Sequence, residues 1–252
     1  MNASPSFAFP NARPRLPVRA GGYLRAAAAA LALALAAGCA TGPNANPADP
    51  LEPLNRKVFA FNDAVDTAVM RPVATVYEKA LPSPVRTGVN NFFGNLSDVW
   101  SFFNSVMQLK LQNSAETFMR VNVNTVFGLG GVLDVGTEIG LNRHSEDFGQ
   151  TLGRWGVPAG PYVVLPILGP STLRDSAALV VDVHGDPVNY VDNIRLRNSL
   201  YALRLVDVRA NLLRVSRLLD DAALDKYTFT RDAFLQRRLS EVHDGDIPAD
   251  GK

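Results

Sequence analysis

The chain has 252 residues, 47% of them hydrophobic, enough to bury a core without covalent staples. It carries 25 basic residues, 24 acidic residues and a single cysteine, which excludes an internal disulfide. Four of the bases fall within the first 38 residues; once that leader is removed, 21 bases face 24 acids, a net charge of about −3, and electrostatic binding to nucleic acid loses its support.

Residues 1–38 read as a secretory signal peptide. Arg13, Arg15, Arg19 and Arg25 supply positive charge without any acid, and AAAAALALALAA then runs unbroken from residue 26 to 37. As a helix this run is ~18 Å long at 1.5 Å per residue, against about 30 Å of bilayer hydrocarbon, so it is too short for a permanent span. It ends in LAAGCATG, which resembles the lipobox of bacterial lipoproteins: the thiol of Cys39 is alkylated by a diacylglycerol, the signal is cut before it, and the new amine is acylated. Many lipoboxes have leucine three residues before the cysteine; here that position is Ala36, with Leu35 one earlier. Each buried methylene contributes about 0.8 kcal/mol and one acyl chain holds only marginally, so several chains on Cys39 would make a stable anchor. Ala40 is not the aspartate that favours inner-membrane retention, and the expected address is the periplasmic side of a Gram-negative outer membrane.

Residues 39–48 are polar and proline-punctuated, a lipidated tether; the folded domain is expected over 49–243, with a solvated tail at 244–252. Leu54, Val58, Phe61, Val65 and Val69 recur at helical steps until Pro72 interrupts, and LPSPVRTGV reads as a connector. Asn90 to Gln112 is an unusual helix: Phe92, Leu96, Val99, Phe103 and Val106 form one apolar stripe, with Phe93, Trp100 and Met107 beside it. So wide an apolar surface suits burial on several sides or contact with lipid. Asn95, Asp98, Asn104 and Gln108 on the same segment argue against a lone transmembrane helix, since they need partners or a water-lined wall.

A further helix covers Ser114 to Phe127, followed by FGLGGVLDVGTEIG, whose glycines predict a hairpin or tight loop. GRWGVPAGPYVVLPILGPSTLRD, residues 153 to 175, has four glycines and four prolines around an apolar centre, and is expected to be a rigid, non-helical belt packed against helices. Ser171 or Thr172 then caps a helix that stops at Gly185. Tyr201, Leu205, Val208, Leu212, Val215 and Leu219 mark an amphipathic helix, and DKYTFTRDAFLQRRL another. With few alternating segments, the fold class is mainly α.

The chemistry-bearing motifs are missing. His144, His184 and His243 have no second histidine at i+3 or i+4, there is no G-x-S-x-G elbow, and there is no phosphate-binding loop. NRHSEDFG reads as a polar loop, and Arg56, Arg71, Arg154 and Arg174 as residues of structural ion pairs. An enzyme is therefore not expected, and neither is a metal or cofactor.

DPLEPLNRKVFAFN, RPVATVYEKALPSPVRTGVNNFFGNL, FGLGGVLDV, DFGQTLGRWGVPAGPYVVLPILGPSTLRD and DKYTFTRDAFLQRRL occur in the order and approximate spacing of the VacJ/MlaA family of outer-membrane lipoproteins, which the chain resembles from about Asp49 to Leu239. The resemblance implies a single-domain, ring-like assembly of amphipathic helices in the inner leaflet of the outer membrane, with an amphipathic channel. It implies removal of phospholipids mislaid in the outer leaflet and their transfer to a periplasmic carrier, MlaC. It also implies association with trimeric porins of the OmpC/OmpF type. Asn95, Asp98 and Asn104, with the loop at Gly130 and Gly131, are the candidate channel or gating residues; capping and turn geometry are their plainer alternatives. The rival functional classes are an envelope phospholipid hydrolase and a structural lipoprotein without transport activity.

Overall fold

In a computed structural model, residues 46–247 are described. The expected signal peptide, Cys39 with residues 40–45 of the expected tether, and residues 248–252 of the expected tail lie outside the described residues. Within 46–247 the protein is mainly α, as its periodicity predicts.

Helix α1 (Glu52–Val65) starts with Glu52 and Pro53 in its first turn, where an acid meets the positive helix end and the missing proline N–H costs nothing. Pro72 does not end the helical path. A π-helical turn at Asp66–Met70 carries it into α2 (Arg71–Ala80), the Arg71 N–H bonding Asp66 O, so the extra residue takes up the crowding that proline would impose. The expected connector at LPSPVRTGV is also helical: α3 begins at Ser83, with Pro84 in its first turn, and runs to Met107. It packs along α4 (Leu111–Val126), the most extensive helix–helix contact in the domain.

The glycine-rich segment after α4 is a tight loop leading to the one-turn helix α5 (Val135–Glu138), capped by Asp134. Asp147 caps α6 (Phe148–Arg154), its carboxylate accepting from the Gln150 N–H at 2.8 Å. The belt therefore starts inside a helix; its centre is a hairpin of β1 (Tyr162–Leu165) and β2 (Gly169–Thr172), antiparallel, with Tyr162 opposite Thr172 and Leu165 opposite Gly169. Ile167 and Gly169, at φ 68° and 86°, make its tight reversal. Two asparagines of α1, seven residues and hence two turns apart, grip the open edge of β1. Asn55 donates to Tyr162 O and accepts from Val164 N–H, at 3.0 and 2.9 Å; Asn62 donates to Leu165 O and accepts from Ile167 N–H, at 2.9 and 2.7 Å. The four-proline stretch is thus held against a helix by side chains that supply the ladder partners its edge lacks.

Thr172 caps α7 (Leu173–Gly185), one of the two residues predicted for that role. A 3-10 turn at Pro187–Tyr190 leads to α8 (Ile194–Asn211). The single stripe expected from Tyr201 to Leu219 is split at Leu212 into α8 and α9 (Leu213–Ala222), and α10 (Lys226–Val242) closes the fold under an Asp225 cap. The apolar core is small. Ala74, Ala210 and Leu213 pack with Tyr77; Tyr162, Val164 and Tyr227 pack with Val58, Phe59, Phe234 and Leu235.

Candidate functional site

Polar residues, more than apolar ones, fill the rest of the interior. On α3, Asn95, Asp98, Ser101, Asn104 and Ser105 are buried, while Phe103 and Val106 on the opposite side are 51% and 45% exposed. On α4, Ser114, Thr117, Arg120 and Asn124 are buried and Phe118, Met119 and Val126 are exposed. These spacings of three and four put one polar stripe on each helix; the two helices pack together, and Asp98 of one stripe meets Arg120 of the other at 3.9 Å. Exposed apolar residues continue on α1 and α2 at Leu54, Phe61, Val73 and Val76, with Val69 in the π turn between them.

Arg120, 1% exposed, is the hub of one end of this interior. Its guanidinium donates two bonds to Asp134 at 2.8 and 2.9 Å, and others to Thr137 Oγ1 and Leu141 O at 3.0 and 2.7 Å. Burial pushes the Asp134 carboxyl up, but bonds from Thr137, Arg120 and Asn124 outweigh it and hold it down to about 2. Asp98 accepts from Arg143 at 3.0 and 3.2 Å and lies 3.9 Å from Arg120 Nε; its burial nonetheless keeps its carboxyl above the ordinary range. At the other end Gln108 donates to Glu146 and Thr151, Thr151 donates to Asn104 at 2.8 Å, and Lys110 donates to Glu146 at 2.8 Å.

Two of the predicted residue sets come together here. Asn95 donates to Thr125 Oγ1 at 3.0 Å, and a Cβ on Gly131 would stand 2.6 Å from the Asn95 Cβ. Gly131 and Gly130 have φ of 95° and 73°, but a Cβ on Gly130 would meet nothing within 4 Å. Gly130→Ala is expected to cost about 1–2 kcal/mol, the cost of a left-handed L residue. Gly131→Ala adds displacement of Asn95, an overpacking cost that takes it to about 3 kcal/mol or more. Thermal unfolding of the two variants side by side checks this; equal losses would mean that the Asn95 contact does not hold the loop.

Asn95, Asp98, Asn104, Gly130 and Gly131 do not line the cleft beside α3. That cleft, about 560 Å3, opens beside α3 between α7 and α8. Trp100, Leu179, Val183, Leu205 and Val208 are its apolar wall; Glu146, Asp147, Asp182, Asp186 and Arg204 are its charged groups. Trp100 donates its indole N–H to Asp182 at 2.8 Å, and Gly185 carries no Cβ because the Trp100 ring occupies that place, 2.2 Å from where it would stand. Sequence reasoning passed over Arg120, Asp134, Arg143, Asp182 and Arg204. The signal for the first lay in the polar stripe Ser114, Thr117, Arg120, Asn124; the others come from separate segments, and no local pattern marks them.

Of the arginines read as ion-pair residues, Arg56 pairs with Glu52 and Asp225, Arg71 with Asp66 and Asp220, and Arg174 with Asp175. His144 turns to Glu116 at 2.9 Å. Among the described residues no group of three or more histidine, cysteine, aspartate or glutamate side chains could hold a metal ion, and no helix is long and apolar enough to cross a membrane.

A mainly helical protein with polar stripes inside and apolar ones outside is built to meet lipid rather than water alone. The chain belongs to the MlaA lipoprotein family, whose model matches residues 47–241. It is 33% identical to the "Intermembrane phospholipid transport system lipoprotein MlaA" of Escherichia coli K12 over 230 residues, 89% of this chain and 91% of that one. The protein of the same name from Haemophilus influenzae is 33% identical over 212 residues, 79% of this chain and 81% of its own length. A solved structure described as "Structural basis for maintenance of bacterial outer membrane lipid asymmetry" superimposes with a TM-score of 0.68 at 33% identity, covering 77% of this chain and 98% of that one.

Proposed function

We propose that this protein is an outer-membrane lipoprotein that takes up phospholipid mislaid in the outer leaflet and passes it toward the periplasm, maintaining lipid asymmetry. The observation that carries the reading is the inverted polarity of α3 and α4: a buried polar seam behind exposed Phe103, Val106, Phe118 and Met119. In water such a surface is an aggregation liability; in the acyl region of a leaflet it is solvated. The amphipathic cleft supports passage of a head group along polar atoms while acyl chains stay against an apolar wall. Asn95, Asp98, Asn104, Gly130 and Gly131 enter this reading as the frame behind that passage. Movement is downhill, with no nucleotide hydrolysis in this chain.

The finer assignments follow the family resemblance: acylation at Cys39, residence in the periplasmic leaflet, a trimeric porin of the OmpC/OmpF type beside it, and a carrier such as MlaC receiving the lipid. The test is outer-leaflet phospholipid in a deletion strain with and without the gene restored. Accumulation on deletion and clearance on restoration are expected; unchanged surface phospholipid in the deletion strain would sink the transport reading.

A further inference from the structure

The charges of the cleft are not equally compensated. Glu146 is paired with Lys110 at 2.8 Å, Asp147 with Arg238 at 2.6 Å and Asp186 with Arg204 at 2.7 Å. Asp182 has only neutral donors: the Trp100 indole N–H and the Phe148 backbone N–H, both at 2.8 Å and both on Oδ1. Among the described residues nothing donates to its Oδ2, and no basic side chain forms an ion pair with it. Burial raises its carboxyl above the ordinary range; the bonds from Trp100 and Phe148 and the more distant Arg238 charge offset this only in part, and the Asp147 charge adds to it. Arg204, on the same cleft, uses one N–H on Asp186 and one on Ser97 Oγ at 2.8 Å, which leaves three of its five donors for a ligand anion.

A carboxylate without an ion-pair partner and a cation with spare donors, set in one cleft with a Trp and aliphatic wall, form a receptor for a zwitterion carrying an apolar tail. The volume, about 560 Å3, lies in the ~300–1,000 Å3 range of small-molecule sites. We propose that the cleft selects phospholipid by head group, favouring zwitterionic phosphatidylethanolamine over anionic phosphatidylglycerol. Asp182 Oδ2 takes the ammonium and Arg204 the phosphate. Phosphatidylglycerol offers the same phosphate to Arg204 but brings no cation for Asp182, so it meets a carboxylate it cannot neutralise. This rests on the transport reading above and adds the lipid class to it.

The experiment uses the full acylated protein in detergent, titrated with dioctanoyl phosphatidylethanolamine and dioctanoyl phosphatidylglycerol, with Trp100 fluorescence read in a Trp155→Phe background. Preference for the ethanolamine lipid of about tenfold is expected, the size of one charge-assisted hydrogen bond. Asp182→Asn keeps an Oδ1 acceptor for both neutral donors, removes the charge and replaces the Oδ2 acceptor with an NH2 donor that cannot take an ammonium; it should bring the two lipids to equal affinity. Arg204→Gln should weaken both lipids alike. Equal affinities in the parent protein, or a preference that survives Asp182→Asn, would overturn the proposal. Head-group indifference with intact clearance of surface phospholipid in cells would remove selection and leave transport standing, whereas loss of clearance would strike transport itself.

Discussion

Arg120→Met is expected to lower the unfolding temperature by about 10 °C. Arg120 is fully buried and bonds Asp134, Thr137 and Leu141 O, tying α4 to α5 and to the loop beyond it. Methionine fills much of the space but leaves the Asp134 carboxylate without its cation and Leu141 O without its donor. Removing one partner of a buried ion pair costs about 3–5 kcal/mol. Asp98 keeps Arg143, so the low end of that range applies. At about 2–4 °C per kcal/mol for a domain of this size, the shift follows. The same variant changes the acid response. The Asp134 carboxyl is held down to about 2, so its contribution is present above the ordinary carboxylate range near 4 and is lost as pH falls through about 2. Without Arg120 that loss becomes smaller and moves to higher pH. Thermal melts of the parent and Arg120→Met proteins in detergent, from pH 7 to pH 2, measure both effects; a variant as stable as the parent would show that Arg120 is not the hub.

Cys39→Ala is expected to abolish clearance of outer-leaflet phospholipid in cells while leaving the fold of residues 46–247 unchanged. The physical argument is carbon counting: at about 0.8 kcal/mol per buried methylene, the several acyl chains proposed for Cys39 would make attachment stable, and their removal would leave only the exposed apolar side chains to hold the protein at a bilayer. Those side chains, Phe103, Val106 and Phe118 among them, would then be presented to water, and self-association of the folded, unanchored chain should follow. Membrane fractionation and surface-lipid measurement together check this. Restored clearance by an unacylated Cys39→Ala protein in the outer-membrane fraction would refute the role of the anchor.

Helix placement was legible from periodicity because an amphipathic face repeats locally, and the Thr172 cap was legible because capping needs only a few neighbouring residues. Errors arose where a local breaker was absorbed. Pro72 follows a π turn that frees the backbone around it, and Pro84 sits in a first turn where its missing N–H has no role. The hairpin inside residues 153 to 175 was half legible: four prolines exclude a helix, but strand pairing there depends on Asn55 and Asn62, about a hundred residues earlier.

The polarity of the interior is where sequence and structure differ most. Asn95, Asp98 and Asn104 stood out as polar positions on an aromatic helix, yet which side of that helix meets the protein cannot be read from its own spacing. A stripe has the same period whether it faces a core or a bilayer. Amino-acid order alone was enough for the helical class and for the break in helix at the centre of the belt, because each is a short-range pattern; the leader and the lipobox at Cys39 are expectations of the same short-range kind. That the polar stripe faces inward, that Gly131 presses on Asn95, and that Asp182 has no ion-pair partner in a cleft where Arg204 keeps free donors came only with the folded chain. These are contacts between residues tens of positions apart, chosen by packing and by the need of each buried charge for a partner, and no local pattern in the chain encodes them.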